Sequence, residues 1–509
     1  MPLPYQAMYD LAIVGGGING AGIARDAAGR GLKTLLVEKD DLASHTSSWS
    51  TKLIHGGLRY LEYYEFRLVA ESLAEREVLL RAAPHIITPL QFVLPHEPHL
   101  RPAWMIRAGL FLYDHLGGRK SLPSSFGVEL STSKWGAGLK NTFHRGFVYA
   151  DARVDDARLV VFNAISAREK GADIRTHTKL IAGRRENGHW RVTLQEAGGE
   201  TREVSARALV NAAGPWVKQV QDEVSAEPAQ AQVRHVKGSH IVVPRVHQEE
   251  HAYILQNSDH RIVFIIPYQN EFSLIGTTDI PVEEYEHPEI SSEEMGYLCS
   301  IASAYLAKPI TPEEVVWTYS GVRPLYDDGS TDPAAVTRDY VLKLDADDGV
   351  APLLSIFGGK ITTYRRLAEQ VLREIAPFFP EMKSPWTKAE PLPGGDIVRS
   401  DLAAYERELN ARYASLDPRL LGALARRHGT RSSRVLGNAN VAADLGRHFG
   451  DTLFAAEIDY LIAQEWATSA DDILWRRTKC GLHMTAGERE AVSHYLGDRP
   501  AAVPMPPKP

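Results

Sequence analysis

The feature that most restricts how this chain folds is the stretch DLAIVGGGINGAGIARDAAGRGLKTLLVEKDDL, residues 10–42. Apolar residues 11–14 predict a buried strand, residues 18–29 a helix rich in small side chains, and residues 35–37 a second strand. A strand, a glycine-rich turn, a helix and a parallel strand in this order form the dinucleotide-binding unit. The stretch therefore predicts an α/β domain whose helix N-terminus faces a phosphate.

Three glycines and one acid give this unit its chemistry. Gly15 makes the tight turn, Gly17 lets the backbone approach a pyrophosphate, and Gly20 lets the helix pack closely on the strand. Glu38 ends the second strand, where a carboxylate accepts hydrogen bonds from an adenosine ribose. No arginine follows this strand to favour a 2′-phosphate. The pattern predicts a dinucleotide without that phosphate.

Two later stretches narrow the choice of dinucleotide. RALVNAAGPW carries an apolar strand that ends in small residues before Gly214, which is typical of a strand that closes over a flavin cofactor. LLSIFGGKITTYRRLAE runs from a strand through Gly358 and Gly359 into a helix that begins near Lys360. A helix N-terminus and a lysine stabilise the negative charge of a reduced flavin. Three such elements predict FAD, bound by segments that are far apart in the chain.

Composition excludes several other classes of protein. The 509 residues carry a formal net charge of −7, so no overall basic field indicates nucleic-acid binding. Cys299 and Cys480 are far apart, which argues against disulfides, a zinc site or an iron–sulfur cluster, and we predict no metal. The first ten residues lack an export signal, and no apolar run is long enough to span a bilayer. We expect a cytoplasmic protein.

Beyond these motifs, the sequence resembles the FAD-dependent, respiratory-chain-linked glycerol-3-phosphate dehydrogenases of aerobic bacteria over nearly its whole length. The segments that carry the resemblance are VGGGINGAGIARDAAGRGL, TSSWSTKLIHGGLRYLE, RPAWMIRAGLFLYDHLG, VNAAGPWVKQ, KGSHIVVPR, IGTTD, WTYSGVRPL and FGGKITTYRRLAE. The resemblance implies non-covalent FAD and oxidation of sn-glycerol 3-phosphate to dihydroxyacetone phosphate in glycerol and glycerophospholipid catabolism. It also implies electron transfer to membrane quinone, and it is compatible with a homodimer.

The predicted fold class is α/β: a Rossmann-like FAD domain, an antiparallel-β substrate (cap) domain and an all-α C-terminal domain. A change to helical periodicity after PLPGGD marks the start of the last unit. The proline-rich residues 500–509 predict a disordered tail. In chain order, the predicted segments are residues 1–80 (FAD domain), 81–145 (cap and membrane contact), 146–230 (FAD domain), 231–351 (substrate domain), 352–387 (FAD domain) and 388–509 (helical domain).

Oxidation of a secondary alcohol by a flavin requires a base, and binding of a phosphate requires cations. A neutral imidazole suits the base, and an arginine fork binds phosphate at two points. His55 and Arg59 flank Gly56 and Gly57, and we expect the glycines to let the backbone pass close to the flavin.

The resemblance extends this pair to a full set of site residues. It implies the catalytic residues His55, Arg59, Arg323 and Lys360, and the substrate-binding residues Arg59, Tyr60, Thr278 and Arg323, with Asp279 also near the pocket. The implied cofactor-binding residues are Gly15, Gly17, Asn19, Gly20, Glu38, Ser47, Ser48, Gly214, Gly358, Gly359, Lys360 and Thr362.

Residues 103–116 form an apolar segment with basic flanks at Arg101, Arg107, Arg119 and Lys120. The segment is too short to span a bilayer, but its composition suits a helix in the headgroup layer that presents Trp104, Leu110 and Phe111 to lipid. A core helix of the substrate domain is the alternative. Because quinone reduction requires membrane contact, the resemblance favours peripheral attachment to the inner face of the cell membrane.

Two other functions remain open at this point. One is a related flavin oxidase that acts on an amino acid or a 2-hydroxy acid with oxygen as acceptor, in which an arginine binds a carboxylate. The other is a flavoprotein whose FAD is structural and whose C-terminal helical domain binds a partner protein or RNA. Bleaching of the flavin by glycerol 3-phosphate separates the dehydrogenase from both.

Overall fold

A computed structural model describes residues 8–97, 100–118, 121–224, 233–257, 261–327, 339–346 and 349–497. The strands are β1 (Met8–Val14), β2 (Thr34–Val37), β3 (Leu53–Ile54), β4 (Ile87–Pro95), β5 (Phe126–Glu129), β6 (Arg145–Val154), β7 (Asp173–Arg175), β8 (Thr178–Glu186), β9 (His189–Glu196), β10 (Thr201–Asn211), β11 (Val233–Pro244), β12 (Ala252–Gln256), β13 (Ile262–Tyr268), β14 (Phe272–Gly276), β15 (Ile280–Pro281), β16 (Trp317–Tyr326), β17 (Val341–Asp345), β18 (Leu353–Phe357), β19 (His448–Gly450) and β20 (Leu453–Phe454). The α-helices are α1 (Ile18–Gly29), α2 (Phe66–Ala82), α3 (Ala103–Leu116), α4 (Asp156–Glu169), α5 (Val217–Val224), α6 (Ser292–Tyr305), α7 (Tyr364–Ile375), α8 (Leu402–Arg412), α9 (Pro418–His428), α10 (Ser432–Leu436), α11 (Ala455–Glu465) and α12 (Ala486–Gly497).

The first sheet contains the dinucleotide-binding unit. Its order is β17-β18-β10-β1-β2-β7, with parallel pairing from β18 to β7, and the β8–β9 hairpin pairs with β10. One face of this sheet packs against α1, α4 and α7 in a common hydrophobic core. Because β1 and β10 are neighbours, their carboxyl ends meet beside the N-terminus of α1, which is where ligands bind in open parallel sheets.

The second sheet is larger and mainly antiparallel. Its order is β15-β11-β14-β13-β12-β4-β6-β3, with β16 also paired to β11 and β5 to β6. Apolar side chains alternate along its strands, so each face is covered. One core includes residues of α2 and α3, and the core on the opposite face includes residues of α6. This sheet brings β16 and the residues after β3 to the same side of the first sheet.

The C-terminal helices α8–α12 form a hydrophobic core of their own, as predicted, together with the short β19–β20 hairpin. A π-helix at Asp472–Arg477 lies in this unit and turns back toward the first sheet. Cys299 and Cys480 are both buried with free thiols.

The segment boundaries differ from the predicted ones at three strands. β3 and β6 come from residues assigned to the FAD domain but pair within the second sheet, and β17 comes from the substrate segment but pairs with β18 in the first sheet. Strand pairing is non-local, so composition along the chain does not reveal which sheet accepts a strand. The boundary at 230 and the tail 500–509 lie outside the described residues.

Helix α3 has the predicted bounds, but one of its faces is exposed and the other is buried in the protein core. Trp104, Phe111 and Leu112 are exposed, whereas Leu110 and Tyr113 are buried in the core of the second sheet. The expectation that Leu110 faces lipid is therefore wrong, because Leu110 lies on the opposite side of the helix from Trp104 and Phe111. The basic residues Arg119 and Lys120 lie outside the described residues. Within the described parts of the chain, no helix is both long and apolar enough to cross a bilayer.

Candidate active site

The glycine-rich turn is held so tightly that side chains do not fit at its key positions. Gly15 has φ +111°, and a Cβ there would lie 2.4 Å from the carbonyl oxygen of Ala212. A Cβ at Gly20 would lie 1.9 Å from the carbonyl oxygen of Gly15. The N-terminus of α1 thus starts at Gly17 with its amides directed toward the space between β1 and β10.

A cavity at this helix N-terminus encloses about 1070 Å³ of empty space, part of it open to solvent. It runs from Glu38 and Trp216 past Gly17 to Gly358, so it is elongated along the edge of the sheet. The predicted cofactor residues that line it are Gly15, Gly17, Asn19, Glu38, Ser47, Gly214, Gly358 and Gly359. An elongated cleft of this kind fits a dinucleotide.

Glu38, at the end of the cavity where an adenosine ribose would lie, is hydrogen-bonded to the glycine turn. Its carboxylate accepts the backbone N–H of Gly16 at 2.6 Å and that of Asp40 at 2.9 Å. Burial raises the pKa of Glu38, whereas the two amides act in the opposite direction. The contact with Gly16 also requires a glycine, since a Cβ at that position would lie 2.7 Å from the Cβ of Glu38.

Asn19 joins the first cofactor element to the third. Its amide donates to the carbonyl of Gly358 at 3.2 Å, while its Oδ1 is buried and has no hydrogen-bond partner among the described residues. Ser47 accepts the N–H of Ile18 at 2.9 Å, and the hydroxyl of Ser48 donates to the carbonyl of His45 at 3.3 Å. Ser47 therefore contacts the helix N-terminus directly, and the hydroxyl of Ser48 is used within its own loop.

His55 follows β3, and its backbone is attached to the third cofactor element. The hydroxyl of Thr362 lies 3.3 Å from the amide nitrogen of His55 and 3.4 Å from its carbonyl oxygen. Gly56 donates its N–H to the hydroxyl of Tyr113 at 2.8 Å, and a Cβ at Gly56 would lie 2.6 Å from that oxygen. Gly57 has φ +77°. The glycine pair is therefore required by Tyr113 and by a left-handed turn; its role in approaching the flavin stays a prediction.

The imidazole of His55 is biased toward its neutral form. Burial lowers the pKa of His55, Asp151 raises it, and the charges of Lys360 and Arg76 lower it, with a net result below the usual 6.5. A neutral imidazole near pH 7 is competent to accept a proton.

Lys360 lies close enough to His55 for its charge to lower the pKa of the imidazole, and Arg59 lies on the short helix that follows the glycine pair. The ammonium of Lys360 lies 3.9 Å from the ring centroid of Tyr60, and the guanidinium of Arg59 lies 6.0 Å from the ring of Tyr63. Arg59 and Tyr60 belong to one short 3₁₀ helix, Leu58–Tyr63. The structure thus brings together four predicted site residues, His55, Tyr60, Lys360 and Thr362, whereas the described contacts of the Arg59 guanidinium are with Tyr63.

Arg323 belongs to the second sheet. It lies in β16 beside Pro324, which lines the cofactor cavity together with Gly358. Its Nη1 donates to Asp279 at 2.9 Å and its Nη2 to the hydroxyl of Thr277 at 3.4 Å.

Thr278 differs from its predicted role as a substrate ligand. It is 1% exposed, its hydroxyl donates to Glu294 at 2.8 Å, and it accepts the N–H of Ser239 at 2.9 Å. The hydroxyl of Thr278 thus donates one hydrogen bond and accepts another within the fold. Thr277, one position earlier, is the threonine that contacts Arg323, because neighbouring residues of an extended chain point to opposite sides.

Several residues that support the site were not found by sequence reasoning. Asp151 accepts Arg76 at 2.7 Å and the hydroxyl of Tyr113 at 2.7 Å, so a buried ionic network lies beneath Gly56. His240 contacts the hydroxyl of Thr51 at 3.1 Å, and burial, Lys52 and Arg323 place its pKa well below 6.5. The quoted segment KGSHIVVPR contains His240, but nothing in that segment alone relates it to Arg323.

The residues around the cavity fit FAD. The glycine turn excludes side chains where a pyrophosphate would lie, Glu38 stands at the ribose end, and Gly358 and Gly359 open the other end toward Lys360. When bound, the isoalloxazine ring of FAD supplies a two-electron acceptor. A dinucleotide cleft lined by Gly358 and Gly359, with Lys360 next in the chain and the neutral His55 near that lysine, is typical of a flavin-dependent oxidoreductase.

Comparisons with known proteins agree. Residues 10–365 match the family described as FAD dependent oxidoreductase, and residues 385–496 match the C-terminal domain of alpha-glycerophosphate oxidase. The chain therefore belongs to the FAD-dependent oxidoreductase family, and FAD is its cofactor. Within that family its full-length relatives include the aerobic glycerol-3-phosphate dehydrogenases, which confirms the resemblance seen in the sequence.

Two relatives are equally similar to this chain. The aerobic glycerol-3-phosphate dehydrogenase of Escherichia coli K12 is 52% identical over 489 residues, 96% of this chain and 97% of the relative. The D-erythritol 1-phosphate dehydrogenase of Brucella abortus gives the same identity and coverage. Among solved structures, glycerol-3-phosphate dehydrogenase from Bacillus halodurans complexed with FAD has a TM-score of 0.72 at 25% identity, covering 96% of this chain and 94% of that one.

Proposed function

We propose that this protein oxidises sn-glycerol 3-phosphate to dihydroxyacetone phosphate, reducing FAD, and passes the electrons to membrane quinone. The observation that carries the proposal is the proximity of Lys360 to His55 beside the glycine pair at Gly358, with Arg59 on the short helix that follows His55 and Arg323 in β16 next to Pro324 of the cofactor cavity. One base and several cations suit a substrate with a secondary hydroxyl and a phosphate.

Each side chain has a defined role in this reaction. The neutral imidazole of His55 takes the proton of the substrate's secondary hydroxyl, and the carbon that bears this hydroxyl gives up its hydrogen as hydride to the flavin, which leaves a ketone. The guanidinium groups of Arg59 and Arg323 bind the phosphate by charge-assisted hydrogen bonds. Lys360 stabilises negative charge at the flavin end of the site.

A longer alditol phosphate is the second candidate substrate. The relative from Brucella abortus is named for D-erythritol 1-phosphate and is as similar to this chain as the enzyme from Escherichia coli. Both compounds carry a phosphate and a neighbouring secondary hydroxyl, so the same histidine and arginines serve either one. D-erythritol 1-phosphate has one more CHOH group than glycerol 3-phosphate. A site that accepts it must therefore have room for this group beyond the reacting carbon.

An anaerobic titration of the FAD-loaded protein tests this function. Glycerol 3-phosphate is expected to bleach the flavin stoichiometrically, and D-erythritol 1-phosphate to bleach it much more slowly at the same concentration. Faster bleaching by D-erythritol 1-phosphate than by glycerol 3-phosphate would indicate that the longer compound is the substrate. Bleaching by glycine or lactate, with neither phosphate ester active, would instead support an oxidase of amino or hydroxy acids.

The proposed electron acceptor requires contact with a membrane, and one surface of the protein suits it. We define the apolar patch as the exposed residues Tyr63, Tyr64, Phe66, Trp104, Met105, Phe111 and Leu112. An ion pair between Arg101 and Glu62, with 3.6 Å between Nε and Oε1, links the two halves of this patch. Aromatic side chains beside the exposed basic residues Arg101 and Arg107 are typical of a surface that lies among lipid headgroups. The proposal therefore includes peripheral attachment to the inner face of the cell membrane.

The rate at which the reduced flavin is reoxidised by a quinone analogue or by oxygen identifies the electron acceptor. After bleaching by substrate, a quinone analogue in phospholipid vesicles is expected to restore the flavin absorbance faster than air-saturated buffer does. Faster recovery in air, with or without vesicles, would make the protein an oxidase and would remove the reason for membrane contact.

A further inference from the structure

One contact between the C-terminal helical unit and the loop that follows β2 is made at the carboxylate of Asp41. Asp41 is buried, lies just after Glu38, and belongs to the loop at residues 38–48 that runs along the cofactor cavity. Arg477 donates from Nη1 and Nη2 to its two oxygens at 2.8 and 2.7 Å, and Arg476 donates from Nε at 2.7 Å. Three charge-assisted hydrogen bonds therefore converge on one side chain that is not itself in the cavity.

The loop that carries Asp41 is attached to the glycine turn on both sides. Before Asp41, Glu38 accepts the N–H of Gly16; after it, Ala43 donates its N–H to the carbonyl of Gly16 at 3.2 Å. Ala43 has φ +61°, which is unfavourable for a residue with a Cβ. A short loop that holds such a residue needs fixed points. The C-terminal unit holds Asp41, and the hydroxyl of Thr46 donates to the carbonyl of Val322 in the second sheet at 2.7 Å.

The two arginines are themselves held in place. Arg477 is fully buried and also donates to the carbonyl of Glu465 at 2.8 Å. Glu465 in turn accepts Arg158 of α4, a helix that packs directly on α1. Arg476 pairs with Asp472 one turn earlier in the π-helix. The guanidinium groups that meet Asp41 are thus fixed both to the helical unit and to the helix layer of the first sheet.

We propose that Arg476 and Arg477 are positioning residues for FAD: through Asp41 they hold the loop 38–48 in the conformation that receives the adenosine half of the cofactor. The C-terminal unit is then a part of the cofactor site rather than a separate binding module. Its contribution acts on retention of FAD and is independent of which alditol phosphate is oxidised.

The test measures the dissociation constant of FAD after removal and titration back, in variants of the full-length protein. Arg476→Gln and Asp41→Asn remove charge from the contact. Arg431→Gln is the matched control, because Arg431 joins the same C-terminal unit to Glu169 of α4 at 2.6 Å but does not touch the loop. Arg476→Gln removes one of the three charge-assisted hydrogen bonds to Asp41, and Asp41→Asn weakens all three. Both variants are expected to weaken FAD binding about tenfold or more, and the control less than about twofold.

Hydrogen exchange of the FAD-free proteins gives a second readout. Peptides that cover residues 38–48 are expected to exchange faster in Arg476→Gln than in Arg431→Gln. If Asp41→Asn does not fold, the comparison of Arg476→Gln with Arg431→Gln decides. Wild-type FAD affinity in folded Arg476→Gln, or an equal loss of affinity in Arg476→Gln and the control, would overturn the proposal and make the contact a general domain interface.

Discussion

The hydroxyl of Tyr113 accepts the backbone N–H of Gly56 at 2.8 Å and donates to Asp151 at 2.7 Å. Tyr113 lies on α3, the same helix that exposes Trp104 and Phe111. One helix therefore carries part of the apolar patch on its outer face and fixes the residue after His55 with its inner face. The position of His55, the proposed base, therefore depends on the hydroxyl of Tyr113 in α3.

Replacing Tyr113 by Phe is expected to slow reduction of the flavin by substrate about three- to tenfold. The change removes a buried hydrogen-bond acceptor from Gly56 and a donor to Asp151, at a cost of about 1–3 kcal/mol in folding stability. We expect about 1 kcal/mol of this cost to appear in the barrier to flavin reduction, which gives the stated range. Anaerobic stopped-flow bleaching measures the rate. Tyr149→Phe is the control, since that ring packs 5.9 Å from Tyr113 without a described hydrogen bond to Gly56. Equal rates in both variants would show that Tyr113 does not position His55.

The pH dependence of kcat/KM is expected to show an acid limb below pH 6.5. Burial lowers the pKa of His55, with Asp151 opposing and Lys360 and Arg76 assisting. A base acts when neutral, so activity falls as the pH drops through this lowered pKa. Lys360→Gln removes a positive charge and is expected to move the limb to higher pH, whatever its effect on the maximum rate. A limb above pH 6.5 in the wild type, or one that Lys360→Gln leaves in place, would contradict this account of His55.

The sequence predicted well those features that depend on residues near each other in the chain, and poorly those that depend on residues far apart in it. The strand, turn and helix around Gly15 and Gly20 were predicted almost to the residue, because glycine chemistry and short-range periodicity determine them. Asp151, Tyr113 and Arg76 were missed, since their common role arises when β6, α3 and α2 meet. Thr278 was named as a pocket residue and Thr277 was not considered, for a related reason: one residue of register decides which hydroxyl faces Arg323, and strand pairing sets that register.

Attachment to the membrane is expected to depend on the outer face of α3. The double variant Trp104→Ser, Phe111→Ser should move the protein from the membrane pellet to the supernatant, and dye-linked activity should move with it. Val398→Ser, an exposed apolar residue outside the patch, is the control. Leu110→Ser is expected to lower the stability by about 2–5 kcal/mol instead, because Leu110 is core. A double variant that stays in the pellet would exclude the patch as the attachment surface.

FAD is expected to leave the protein on denaturation, because the cofactor is predicted to be held without a covalent bond. The histidine nearest to the glycine motif, His45, has its Nε2 2.7 Å from Asp40 and its ring 4.5 Å from that of Trp216. Acid precipitation followed by absorbance of the supernatant measures the released flavin. Yellow colour that remains in the precipitate would show a covalent linkage, and His45→Ala would then test whether that side chain forms it.

Arg323→Lys is expected to lower kcat/KM for glycerol 3-phosphate by about ten- to a hundredfold, the effect of one or two charge-assisted hydrogen bonds. Lysine keeps the charge but not the planar fork that binds a phosphate at two points. FAD content and melting temperature should stay near wild-type values.

Arg234→Lys controls for the loss of an arginine–aspartate pair at the same sheet, because Nη2 of Arg234 in β11 lies 3.2 Å from Oδ1 of Asp327, the residue that follows β16. His55→Gln is expected to differ from Arg323→Lys: flavin reduction slows, yet glycerol 3-phosphate still binds and perturbs the flavin spectrum. If Arg323→Lys retains wild-type efficiency, the pairing of Arg323 with Asp279 is its whole role. The phosphate must then be bound by Arg59 and Lys360.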